Sequence, residues 1–168
     1  MKLAFAMLGC LAGLSLAQER VELRHFPLDS ADELLTTRVV RIDPKISTDR
    51  HGSVLLQSKG YTRVPLVETG ALDIENAVIV FRGKMRTTSL KGDAYLEMTC
   101  RLPGEGEISA RGLQYALSGN RHWTEVEVSY QLRKGEKPEN VWVSLVATTK
   151  GNVWLDDLRL ETAPLAEE

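Results

Sequence analysis

The sequence predicts an all-β chain folded as an antiparallel β-sandwich or jelly roll, with about nine strands. Three observations carry this. Apolar and polar residues alternate with period two over short runs, clusters of Gly, Pro, Asp and Asn separate those runs, and helical periodicity is nearly absent. Without helices long enough for parallel crossovers, neighbouring strands pair antiparallel.

In chain order, strands are expected over residues 20–26, 35–42, 53–58, 61–67, 77–87, 94–102, 124–132, 141–148 and 152–161. The clearest is 124–132, where Thr124, Val126, Val128, Tyr130 and Leu132 share one face and Glu125, Glu127, Ser129 and Gln131 the other. Over 94–102, Ala94, Leu96, Met98, Cys100 and Leu102 alternate with Tyr95, Glu97, Thr99 and Arg101. Turns are expected at Lys59-Gly60, Lys91-Gly92-Asp93, Pro103-Gly104-Glu105-Gly106, Ser118-Gly119-Asn120, Lys134-Gly135 and Lys150-Gly151. One domain is expected over residues 18–168, with its core in about 19–162 and a short carboxyl-terminal tail.

Residues 1–17 have a basic start at Lys2, a short apolar run and Ser15-Leu16-Ala17, the pattern of a cleaved secretory signal. The run falls well below the ~20 residues of a membrane-spanning helix, so the chain is not expected to span a membrane. Met7-Leu8-Gly9-Cys10 loosely resembles a lipoprotein signal, but the apolar stretch before Cys10 is short for one. Signal cleavage leaves Cys100 as the single cysteine, so an intramolecular disulfide is excluded and a buried thiol is expected. Basic residues number 21 and acidic residues 23, with both signs spread along the chain, so nucleic acid is not an expected partner.

The catalytic motifs are missing. His25, His51 and His122 have no zinc-ligand spacing, no Ser stands in a nucleophile elbow, and Glu125 and Glu127 are explained as the wet face of a strand. On 152–161 strict alternation leaves both faces mixed, with Asp156 among apolar groups. A carboxylate there needs hydrogen bonds at a bulge or a structural Ca²⁺.

Several segments, in order, are similar to the galactose-binding-domain-like jelly roll of carbohydrate-binding modules and related accessory domains of bacterial secreted proteins. They are Phe81-Arg82-Gly83-Lys84-Met85-Arg86-Thr87, Ala94-Tyr95-Leu96-Glu97-Met98, Ser118-Gly119-Asn120-Arg121-His122-Trp123 and Gly151-Asn152-Val153-Trp154-Leu155-Asp156-Asp157-Leu158-Arg159-Leu160. The resemblance implies a secreted, non-catalytic module that binds a polysaccharide, and it assigns a structural Ca²⁺ to Asp156. The amino-terminal acidic partner usual for that ion has no clear match here. Sugar recognition requires aromatic faces beside polar side chains. The candidates are Tyr95, Glu97 and Arg101 on one strand, with Trp142, Asn120 and Arg121. Tyr95 stands out because its strand partners are all polar. The alternative is a structural or protein-interaction domain of the cell envelope, with a protein partner and no sugar site.

Overall fold

The computed structural model describes residues 19–165; the expected signal segment and Cys10 lie outside them. Nine strands form: β1 Val21–Phe26, β2 Val40–Asp43, β3 Ser53–Ser58, β4 Thr62–Glu68, β5 Ala77–Leu102, β6 Gly106–Arg111, β7 Leu117–Leu132, β8 Asn140–Ala147 and β9 Gly151–Pro164. The helical pieces among the described residues are single 3₁₀ turns at Ala31–Glu33 and Leu113–Tyr115. All strand pairings are antiparallel.

β5 is the spine and belongs to both layers of the sandwich. Its first part lies between β9 and β7, which makes a layer ordered β2–β3–β9–β5–β7. β1 pairs with the second half of β9, on the edge whose first half pairs with β3. Beyond Ala94 the same strand lies between β8 and β6, giving a second layer ordered β4–β8–β5–β6.

The corner falls where the sequence predicts a turn between two strands. Ser89 takes a left-handed conformation at φ 53°, and the register to β7 shifts three times between Met85 and Asp93. Backbone donors freed there find partners: Gly92 and Asp93 N–H donate to the hydroxyls of Thr149 and Thr148, at 2.6 and 2.8 Å. Residues 77–87 and 94–102 are therefore one continuous strand, and Lys91-Gly92-Asp93 is its bend. The expected turn at Ser118-Gly119-Asn120 likewise lies inside β7, with Gly119 at φ 71° opposite that bend.

A second local irregularity resolves the mixed faces of β9. Asp157 sits at φ 50°, and between Arg82/Arg159 and Lys84/Asp156 the ladder holds one extra residue on β9. This bulge shifts the alternation by one position. Val153 and Leu155 before it, and Leu158 and Leu160 after it, all reach the core, while Asp156, Asp157 and Arg159 do not join it.

The core lies between the layers. Ile79, Phe81 and Met85 enter from the first part of β5 and Leu96, Met98 and Cys100 from the second; Val141, Val143 and Leu145 of β8 join them, all fully buried. Each such aliphatic or aromatic side chain contributes about 2 kcal/mol by leaving water. Burial pushes the Cys100 thiol up to about 12, which leaves it an inert packing group.

Candidate functional site

The outward face of the second layer gathers most of the expected ligand residues. The alternation that sends Leu96, Met98 and Cys100 into the core turns Tyr95, Glu97, Thr99 and Arg101 the other way. Register then sets their neighbours: Val146, Ser144, Trp142 and Asn140 on β8, and Arg111, Ser109 and Glu107 on β6. Arg63 of β4 stands beside Val146 on the far side of β8.

Glu97 is the hub of this face. It is only 4% exposed, and a carboxylate so placed requires compensating charge. Arg63 Nε donates to one of its oxygens at 2.5 Å and Arg111 Nε to the other at 3.0 Å. Arg63 Nη2 also reaches Thr99 Oγ1 at 3.3 Å, and that hydroxyl shares a 2.9 Å hydrogen bond with Ser109. The buried carboxylate thus fixes two guanidiniums whose side chains remain 35% and 60% exposed. Arg101 lies 5.7 Å over the half-buried ring of Trp142 and donates to Glu107 at 2.7 Å. The hydroxyl of Ser144, beside Glu97, is buried and has no hydrogen-bond partner.

Four of the six expected residues, Tyr95, Glu97, Arg101 and Trp142, share this face. Tyr95 corrects the expectation of an exposed aromatic, since it is 6% exposed. Its strand is flanked on both sides, and polar sequence neighbours say nothing about what lies across the sheet. Burial pushes its phenol up against the opposing charge of nearby Arg111. A well-exposed aromatic is Tyr61, two residues before Arg63 and just ahead of β4.

Asn120 and Arg121 lie apart from this group, on β7 opposite the bend of β5. Asn120 Oδ1 accepts the N–H of Ser89 at 2.7 Å, which supports the left-handed corner. The sequence reading missed Arg63 and Arg111. Arg63 was visible as the polar position between Thr62 and Val64, but its value comes from facing Glu97. Arg111 stands on β6, which the alternation did not reveal.

Asp156 is 1% exposed, and its needs are met by the chain itself. Oδ2 accepts the Thr48 N–H at 2.6 Å and the Thr48 hydroxyl at 2.7 Å, while Oδ1 accepts the Asp157 N–H at 2.8 Å. Both oxygens therefore face N–H and O–H donors, an arrangement that does not fit direct ligation of Ca²⁺, which takes 6–8 oxygens. A separate group, Asp29, Asp49 and His51, has ligand atoms within 4.8 Å of one another. There the backbone N–H and the imidazole of His51 engage the two oxygens of Asp49, at 2.9 and 3.1 Å.

The outward face of the first layer is a lattice of ion pairs. Arg20 bridges Glu127 and Glu161, Arg82 bridges Glu125 and Glu161, and Asp157 is met by His25, Lys84 and Arg159.

No family model matches the sequence, and no curated protein matches it. Solved structures do match. The xylan-binding domain CBM22-1 of Paenibacillus barcinonensis Xyn10C is similar at a TM-score of 0.59 and 12% identity, over 89% of this chain and 99% of that one. A xylan-binding domain of CBM family 22 matches at a TM-score of 0.61 and 10% identity, over 90% and 99%. A family 16 carbohydrate-binding module matches at 0.53 and 12%, over 73% and 84%. The chain has the jelly-roll β-sandwich fold of carbohydrate-binding modules.

Proposed function

We propose that this protein is a non-catalytic module that binds a polysaccharide reversibly through the outward face of its second layer. The observation that carries the reading is the Arg63–Glu97–Arg111 arrangement. A buried carboxylate holds two exposed guanidiniums in fixed orientation beside the exposed ring of Tyr61 and the half-exposed ring of Trp142. Guanidiniums donate to sugar hydroxyls, and aromatic rings cover the apolar side of a pyranose. Both oxygens of Glu97 are already engaged, so its role is to position the arginines. Residues 1–17, as an export signal, would deliver the module outside the cytoplasm.

Because the similar structures include xylan-binding domains, β-1,4-xylan is the first polymer to test. Affinity electrophoresis through gels containing xylan and a panel of other neutral polysaccharides should retard the protein. Tyr61→Ala and Trp142→Ala should each weaken that binding about tenfold, equivalent to about 1.4 kcal/mol. Passage through every gel without retardation would defeat the reading and favour an envelope scaffold with a protein partner.

A further inference from the structure

A groove of about 520 Å³ is lined by residues of β2, of β3 and of the segments beside them, reaching Lys59 and Thr62 on either side of Tyr61 in the chain. Arg38, Arg41 and Lys59 line it, with Thr37, Gln57 and Thr62. Val39 and Leu55 supply apolar surface, and neither a carboxylate nor an aromatic ring is among the lining residues. Arg38, Arg41 and Lys59 are exposed, and among the described residues none of them makes an ion pair. The nearby carboxylate of Asp43 is engaged by Trp154 Nε1 and by the Lys45 N–H, both at 3.0 Å.

Three unpaired cations in one concavity focus a positive potential that nothing in the groove neutralises. The missing rings rule out stacking of a neutral pyranose, so recognition there must come from charge and hydrogen-bond donors. An acidic peptide added as a strand is disfavoured, because β2 is only four residues long and carries Arg41 within it and Arg38 just before it, two devices that blunt a sheet edge. We infer that this groove is a second binding site, sharing no lining residue with the Arg63–Glu97–Arg111 and Trp142 group, for a polysaccharide bearing carboxylates, such as a polyuronate chain. The choice of a sugar polymer over other polyanions rests on the proposed carbohydrate-binding function; the cationic groove itself does not.

The probe is polygalacturonate in affinity gels, run beside neutral xylan and beside poly-L-glutamate. Retardation by polygalacturonate is expected, falling steeply with added salt. Combined Arg38→Glu, Arg41→Glu and Lys59→Glu should weaken it at least tenfold with an unchanged melting temperature, since all three side chains are exposed. A charge-matched control, Arg121→Glu, Arg133→Glu and Lys134→Glu, alters no groove residue and should retain binding. Trp142→Ala should weaken xylan binding but keep polygalacturonate, so failure of either site is read separately. The inference is overturned by no retardation, by equal loss in the control variant, or by poly-L-glutamate binding as tightly as polygalacturonate.

Discussion

Thr48 and Asp157 commit two backbone N–H groups and a hydroxyl to one buried carboxylate, and the strength of that clamp is set by what its loss would strand. Asp156→Ala leaves the Thr48 N–H and hydroxyl without this partner and the Asp157 N–H with only its long 3.4 Å bond to Pro27 O, at a cost of about 2 kcal/mol in unfolding free energy, measurable by denaturant titration. Because those donors already occupy both oxygens, melting temperatures in excess Ca²⁺ and in chelator should coincide; a rise with Ca²⁺ that vanishes in Asp156→Ala would refute this. The need of Asp156 for partners was legible from one acidic residue among apolar ones. Its partner Thr48 was not, since 108 residues separate the two in the chain. Tyr95 teaches the reverse lesson. Its alternating neighbours fixed which way it points, but its exposure depends on what lies across the sheet, which the sequence around it does not encode.

At the scale of elements, the junction between β6 and β7 is held by close approach. Gly112 N–H donates to Leu96 O at 2.9 Å, and a Cβ at this position would collide with the carbonyl oxygen of Glu127. Gly112→Ala should therefore destabilise by about 3 kcal/mol through backbone displacement, seen as a lower denaturation midpoint with an unchanged slope. A wild-type midpoint would show that the junction yields freely. Most strands were readable because one face is wet and the other dry, which imprints period two. β6 escaped notice because Ile108 and Ala110 are only partly buried and its other positions are exposed or glycine. β9 read as two mixed faces because a single bulge residue shifts the pattern, and a bulge is set by the partner strand as well as by the chain itself.

For the molecule as a whole, the ion-pair lattice on the first layer sets the response to pH. Burial pushes the Glu127 carboxyl up, but hydrogen bonds from Arg20 and Tyr115 outweigh it and hold it below its ordinary value. Burial likewise raises the Asp157 carboxyl, and hydrogen bonds from Arg159 and His25 bring it below the ordinary range. The indole of Trp154 lowers that of Asp43. Groups depressed in the folded state contribute stability that is complete above their unfolded pKa of about 4 and is lost as pH falls through the folded values. The melting temperature should accordingly drop on acidification below about pH 4, and calorimetry giving equal values at pH 3 and pH 7 would contradict this.

The shared strand β5 has a last consequence, for how the domain is made. Residues on either side of its bend serve different sheets, and every partner of its first part, β7 and β9, arrives from far along the chain. Neither sheet can be completed without the strand that also founds the other. The domain therefore has no half that could be excised and still fold, and its assembly must wait for the carboxyl-terminal strand β9, which reaches β1, β3 and β5 together. Refolding on the slow, millisecond-to-second scale of non-local β topologies follows from that order of events.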